Sequence, residues 1–263
     1  MRGCRGGVTT SCRTIAQAIF LNRMSSATQT LDELRLRLQE VRSRIEMAAQ
    51  RSHRDPGGIR LVAVSKTHPA DVVRQAIEAG VTDLGENRVQ EAETKIVELG
   101  RARARWHLIG HLQSNKARRA VQLFDVIHSL DSTSLARKLD HACQEENRDV
   151  LPVLIQVDLG HEATKSGVDE KELPGVVEVV TASKRLQLAG LMTLPPFFED
   201  AELARPYFAR LRTLRDKLHA QGNFGRAEGE LSMGMTHDYE VAIEEGATMV
   251  RVGTAIFGQR QPR

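Results

Sequence analysis

Two groups far apart in this sequence have the types and surroundings to do chemistry together. Lys66 directly follows the apolar run Leu61-Val62-Ala63-Val64-Ser65, which reads as a buried strand. Near the C-terminus, Met249-Val250-Arg251-Val252 reads as another strand and ends in Gly253-Thr254, a glycine that opens a helix. A partly buried lysine has a lowered pKa, and its free amine can attack an aldehyde. A glycine at a helix start lets backbone N–H groups approach an anion. Taken singly, a strand-end lysine usually snorkels to solvent, and a turn glycine is commonplace. Taken together, they suit a phosphorylated aldehyde held as a Schiff base.

Leu231-Ser232-Met233-Gly234-Met235 supplies a second corner of the same kind. Barrels that bind phosphate often do so with the loops after their last two strands. Ser232, Gly234, Gly253 and Thr254 are therefore the expected cradle, the hydroxyls adding donors to the backbone. Arg251 shares a strand face with Met249 and Gly253 by simple alternation. That face should be the interior, and a buried cation needs an acceptor. A salt bridge to Asp158 would serve, as would the ring nitrogen of a bound heterocycle. Arginine stays charged, so it would donate to such a nitrogen and leave it unprotonated. The aldehyde that combines these features is pyridoxal 5'-phosphate; another sugar phosphate is the blander occupant.

The elements that must position these groups alternate. Strands are expected at 61–65, 82–84, 106–109, 126–129, 153–157, 188–192, 231–233 and 249–252. Helices are expected at about 70–79, 88–99, 114–122, 133–146, 170–183, 200–220 and 238–245. Ser114 and Ser132 are candidate N-caps, Pro69 suits a first helical turn, and Gly80, Gly100 and Gly246 suit helix ends. Thr30 and Glu33 form a capping box ahead of Leu31, Leu34, Leu38, Val41, Ile45 and Ala48, an amphipathic helix closed by Asp55-Pro56-Gly57-Gly58. Eight strands joined by helices predict an α/β fold, a (β/α)8 TIM barrel with an extra N-terminal amphipathic helix. An open doubly wound sheet is the competitor, weakened because no G-x-G-x-x-G follows the first strand. The barrel should occupy 29–258, with 259–263 as a tail.

Composition narrows the function. The 263 residues are 41% apolar, enough for one large core. The net charge of +3 resides in residues 1–28, which hold four arginines and no acid; the remaining 33 basic and 34 acidic side chains leave −1. A nucleic-acid partner is not expected, nor is a membrane span. Residues 1–28 read as an unstructured leader, either a transit peptide or the product of a start upstream of Met24. The body is expected in the cytoplasm, or in mitochondria if the leader is a transit peptide. Cys4, Cys12 and Cys143 have neither metal nor disulfide spacing. His107 and His111 are four apart but lie on a strand and its exit, which argues against zinc. Asn115-Lys116-Ala117-Arg118-Arg119 reads as a solvated face, and Lys165 as a loop lysine able to take the aldehyde transiently.

Eight segments in order resemble the pyridoxal phosphate homeostasis proteins, single-domain relatives of the alanine racemase N-terminal barrel. They are VAVSKTHPADVV, DLGENRVQE, WHLIGHLQSNKAR, IHSLDS, VLIQVDLG, TKSGV, GLMTLPP and LSMGMTHDYEVAIEEGATMVRVGTAIFG. The departures are His68 after Lys66-Thr67, and Thr236 where a serine is usual. The resemblance implies Lys66 as the Schiff-base lysine and Asn87 beside the ring. It implies Ser232, Gly253 and Thr254 at the phosphate, Met233 and Gly234 lining that loop, and Arg251 at the pyridine nitrogen. It further implies a protein that holds and delivers the cofactor without turnover of its own. Apo enzymes would be the acceptors, and the protein itself a monomer or weak homodimer. The other class of function is a small amino-acid racemase, which would need a second acid/base group; the two tyrosines, Tyr207 and Tyr239, both fall in helical patterns.

Overall fold

The computed structural model describes the backbone of residues 12–161 and 166–258, and side chains from residue 31 onward. Eight parallel strands close into a barrel in sequence order. They are β1 (Arg60–Val64), β2 (Asp83–Glu86), β3 (Arg105–Leu108), β4 (Val126–Leu130), β5 (Leu151–Gln156), β6 (Leu186–Met192), β7 (Glu230–Met235) and β8 (Met249–Val252). Every expected strand is present. The crossovers carry α2 (Ala70–Glu78), α3 (Val89–Leu99), α4 (Ala117–Leu123), α5 (Thr133–Glu145), α6 (Leu173–Ala182), α7 (Arg205–Ala220) and α8 (Tyr239–Glu244). A short α9 (Thr254–Phe257) follows β8, and α1 (Cys12–Arg51) precedes the barrel.

Most of the core lies between strands and helices. Outward strand residues such as Ala63, Leu84, Trp106, Leu108, Ile127 and Leu231 pack against Val73, Ala92, Val121, Leu139 and Phe208 of the helices. The interior is smaller and more polar. Val126, Leu154 and Met192 form a separate apolar cluster there, beside buried His107, His128, Ser232 and Arg251. Gly85 keeps that interior from overfilling, since a Cβ would stand 3.0 Å from Val62 Cγ1.

The N-terminal helix buries Leu34, Leu38, Val41, Ile45 and Ala48 against the barrel, the stripe that its periodicity predicts. Its start differs from expectation. The helix begins at Cys12, so Thr30 falls inside it and its backbone runs through part of the segment expected as a leader. Ion pairs fix α1 to α8: Arg44 and Arg51 to Glu240, and Arg51 also to Glu244.

Local punctuation follows the sequence with one exception. Ser132 caps α5 by accepting from the Leu135 N–H. Gly80, Gly100 and Gly246 all take positive φ after helix ends. Ser114, by contrast, begins a 3-10 turn ahead of α4 and its hydroxyl meets Lys138 Nζ at 3.0 Å. Cys143 is buried and its thiol is pushed up to about 11, which leaves it a small apolar filler.

Candidate functional site

Parallel register brings the two sequence-distant groups together. β1 pairs with β8 so that Ala63 faces Val252, which sets Lys66 beside the Gly253-Thr254 corner. Alternation along β1 turns Val62 and Val64 inward, and Lys66 follows two residues on, in the turn at the strand's end. His68, in the same turn, stacks on Phe257 of α9 with ring centroids 4.9 Å apart. The lysine turn and the β8 corner are therefore tied by strand pairing below and by a ring stack above.

A buried charged cluster underlies Lys66. On α3, Lys95 points at the sheet and is 4% exposed, while Glu86 is 0% exposed. The Lys95 ammonium donates to Glu86 Oε1 at 2.6 Å, to Glu91 Oε1 at 2.9 Å and to the Ser65 carbonyl at 2.7 Å. Ser65 Oγ donates to the same Glu86 oxygen at 2.6 Å. Glu91 also accepts the Thr67 N–H. The residues before and after Lys66 are thus held by one lysine–carboxylate cluster. Burial pushes the Glu86 carboxyl up, with Lys95 opposing it. Burial would raise Glu91 as well, but bonds from Lys95 and the Thr67 N–H outweigh it and hold that carboxyl below its usual range. Thr67 sits at φ 70, a left-handed conformation uncommon for a threonine.

Asn87 directly follows β2, next to this cluster, and is half-buried. Its backbone lies so close to Gly110 that a Cβ there would overlap the Asn87 carbonyl. Ser129 Oγ donates to the Gly110 carbonyl at 2.7 Å and draws the ends of β3 and β4 together.

The last two strands carry the anion corner. Gly253 caps α9, as expected, and its N–H donates to Thr236 Oγ1 at 3.3 Å. Thr254 is exposed at the first helical position. The opening N–H groups of α9 have no carbonyl one turn back within the helix. The Gly253 N–H goes to Thr236, and those of Ile256 and Phe257 go to the Gly253 carbonyl, so the Thr254 and Ala255 N–H groups are the ones this corner can offer, with the nearby threonine hydroxyls, to a phosphate.

The three β7 residues expected in that cradle face in different directions. Ser232 pairs with Met249, four residues below Gly253, and is buried in the interior. Its hydroxyl meets Arg251 Nη1 at 2.7 Å and His128 Nδ1 at 2.9 Å. Met233 faces outward into the helix-packing core. Gly234, at φ 87, faces α8, where a Cβ would come within 2.6 Å of Ala242 Cβ. Thr236, noticeable in the sequence only as a departure from the usual serine, is the β7-side residue whose hydroxyl meets the Gly253 N–H. The cause is a register shift in β7 between Ser232 and Met235, which no spacing in the sequence announces.

Arg251 is inward and buried, as alternation predicted. It makes no salt bridge with Asp158, whose Oδ1 accepts from the Gly160 and His161 N–H groups. Its Nη2 donates to the Thr193 carbonyl at 2.9 Å. Its Nε–H has no protein acceptor among the described residues. Burial pushes the guanidinium down to about 10, with Asp238 acting the other way, so it keeps its proton at neutral pH. Lys165 lies outside the described residues. Neither tyrosine approaches the mouth: Tyr239 is buried under α1 with Arg44 over its ring, and Tyr207 packs on Phe198.

The match to known proteins is extensive. The alanine racemase N-terminal domain family covers residues 36–261. The pyridoxal phosphate homeostasis protein of Aquifex aeolicus is 43% identical over 225 residues, 86% of this chain and 97% of that one. Its counterpart in Escherichia coli K12 is 40% identical over 240 residues, covering 88% and 98%. PipY of Synechococcus elongatus, solved with PLP bound, is 40% identical with a TM-score of 0.75, covering 86% of this chain and all (100%) of that one. Alanine racemase from Corynebacterium glutamicum shares the fold at 20% identity and a TM-score of 0.65; this chain covers 62% of it.

Proposed function

This chain belongs to the alanine racemase N-terminal domain family and, within it, groups with the pyridoxal phosphate homeostasis proteins; from that footing we propose that it binds pyridoxal 5'-phosphate and keeps it in reserve for vitamin B6 homeostasis. Lys66 is the attachment point. Gly253, Thr254 and Thr236 hold the phosphate, Asn87 lies beside the ring, and Arg251 meets the ring nitrogen. One observation carries the reading: the β1–β8 register sets the Lys66 turn against the Gly253 corner.

The residues present fit that cofactor. The corner offers hydroxyl and N–H donors to a phosphate, and the interior offers a guanidinium N–H to a ring nitrogen. When bound, pyridoxal 5'-phosphate supplies an aldehyde that condenses with amines. The protein's own groups set how far that reactivity goes. Lys66 presents its amine on a turn clamped by Glu91 and Lys95. Arg251 is a donor with no acceptor lone pair, so it holds the ring nitrogen as an acceptor and keeps a proton off it. A neutral ring withdraws electrons poorly, which favours storage and transfer over carbanion chemistry. The placement of Tyr207 and Tyr239 away from the mouth supports the same reading, as a racemase would need a second acid/base group there. Apo enzymes that use the cofactor are the proposed acceptors.

Borohydride reduction of the loaded protein followed by peptide mapping tests this. The label is expected on Lys66, and Lys66→Ala should be colourless. Label at another lysine would overturn the site. Rapid α-deuteration of L-alanine in D2O, abolished by Lys66→Ala, would overturn the carrier role.

A further inference from the structure

The barrel interior holds a run of hydrogen bonds that the cofactor reading does not use. Asp83, at the start of β2, has Oδ1 2.9 Å from His107 Nε2. His107 Nδ1 is 2.9 Å from His128 Nε2. His128 Nδ1 is 2.9 Å from Ser232 Oγ, and Arg251 Nη1 donates to that same oxygen at 2.7 Å. His107, His128 and Ser232 are each 0% exposed. At its far end, Asp83 lines a cavity of about 350 Å³ between α1 and the barrel floor, together with Arg42, Arg60 and Thr82. The relay therefore runs from the floor of the barrel toward its mouth.

The ends of this relay fix its direction. A guanidinium can only donate, and an ionised carboxylate can only accept. Burial alone would raise Asp83, but bonds from His107 and Thr82 outweigh it and hold the carboxyl below its usual range, so it is ionised at neutral pH. His107 must therefore carry its proton on Nε2 to meet Asp83. If His107 is neutral, its Nδ1 accepts, so His128 carries its proton on Nε2. His128 Nδ1 then accepts, and the Ser232 hydroxyl donates to it. That leaves a Ser232 lone pair for Arg251. Each of the three middle residues donates once and accepts once, and no buried polar hydrogen in the relay is stranded. The opposite direction would need a cationic His107 and would turn the Ser232 hydrogen away from both partners. Burial works against that cation, outweighing the pull of Asp83.

We propose that His128, backed by His107 and Asp83, is a positioning residue for Arg251. By taking the Ser232 hydroxyl hydrogen, it keeps the serine oxygen turned to the guanidinium. Arg251 then has two fixed acceptors, Ser232 Oγ and the Thr193 carbonyl, and its remaining N–H groups serve the ring nitrogen. Among the described residues no carboxylate touches Arg251; Asp238 acts on it through space, and its hydrogen-bonded connection to an anion runs through Ser232 and two neutral imidazoles. Bonds strung in one direction polarise one another, so the Asp83 charge reinforces the Ser232 acceptor. This proposal rests on the reading that Arg251 meets the ring nitrogen, but its first test does not need the cofactor.

Nitrogen-15 NMR of the apo-protein reads the imidazoles directly. Both His107 and His128 are expected neutral at pH 7 with the proton on Nε2. A proton on Nδ1 of His128 would overturn the relay. The second test compares two variants by titration with pyridoxal 5'-phosphate. His128→Asn keeps an acceptor oxygen near the former Nδ1, whereas His128→Leu keeps none. The leucine variant should bind about 10-fold more weakly and the asparagine variant within about 3-fold of the parent. Equal affinity for both variants would overturn the positioning role. A parent protein that took up no cofactor would overturn the functional reading instead, and the apo-protein tautomers would still decide the relay.

Discussion

Two buried polar networks support the two ends of the candidate site, and they are built in opposite ways. Under Lys66, opposite charges touch: the Lys95 ammonium lies 2.6 Å from Glu86 and 2.9 Å from Glu91. Under Arg251, the charges at the two ends are separated by His107, His128 and Ser232, all neutral in the relay. The first network lies between the sheet and α3 and grips backbone, the Ser65 carbonyl and the Thr67 N–H. The second lies inside the barrel and orients a side chain. A direct ion pair is the stronger clamp but is costly to break, because either partner alone is a stranded buried charge. A neutral relay can lose a member and leave only a polar group short of a bond.

That contrast sets the largest expected effect. Lys95→Met leaves Glu86 buried with the Ser65 hydroxyl as its one hydrogen-bond partner, and should cost about 3–5 kcal/mol of unfolding free energy. The double variant Lys95→Met/Glu86→Gln should recover most of that, since the charge leaves with its partner. Urea unfolding of both variants decides it. A loss below about 1 kcal/mol in the single variant would mean that the pair is no clamp and that the two networks are alike.

Glu86 of the first network and the two histidines of the second should also answer pH with opposite signs. Burial holds His128 well below its ordinary 6.5, and His107 below it too, so the folded protein binds fewer protons there than the unfolded chain does. Asp83 favours the charged form of His107, Arg60 and Arg105 disfavour that of both histidines, and His107 and Arg251 disfavour that of His128. Stability from this pair is therefore complete above about 6.5 and declines as the pH falls, by up to about 1.4 kcal/mol per pH unit for each histidine. Glu86 is the reverse case. Burial raises its folded pKa above the ordinary 4.5, so its contribution is complete below that value and is lost as the pH rises through the folded pKa. Unfolding free energies between pH 5 and 7 should slope less steeply in His128→Asn than in the parent, and more steeply in Glu86→Gln. Parallel slopes for parent and His128→Asn would show that this histidine is not held neutral by the fold.

The difference between the networks also explains what the sequence could disclose. The eight strands were legible because buried parallel strands are short apolar runs with clear turns between them. Lys66, Gly253 and Arg251 were legible because each stands at a fixed offset in such a run. Lys95 passed unnoticed among the polar residues of a helix, although it shares a face with Val89, Ala92 and Ile96, an apolar stripe that should have marked it. In the sequence His107 stands out only as one of a pair with His111, four residues on. Alternation with Trp106 and Leu108 already turned it inward, and the same rule applied to His128 would have put the two imidazoles together. Thr236 was hidden for another reason. A register shift in β7 brings it, and not Ser232, to the Gly253 N–H, and such shifts follow from three-dimensional closure. The start of α1 was misplaced because a capping-box pair reads the same inside a helix as at its end.

The smallest expected effect bears on how tightly the charged cluster governs the turn that it holds. Thr67 occupies φ 70, where a threonine is strained by about 1–2 kcal/mol and a glycine is not. Thr67→Gly relieves that strain, but the glycine gains about as much freedom in the unfolded chain, roughly 0.4–1 kcal/mol. The two terms oppose, so the unfolding free energy should shift by no more than about 0.5–1 kcal/mol. The Thr67 N–H still reaches Glu91 in the variant, because the bond is made by backbone. If the carboxylate defines the turn, Lys66 stays in place and affinity for pyridoxal 5'-phosphate should change by less than about 3-fold. A larger loss of affinity at unchanged stability would move the control of Lys66 from the Lys95–Glu91 cluster to the threonine itself. The charged network would then be a stabiliser of the barrel wall, and only the relay under Arg251 would serve the site.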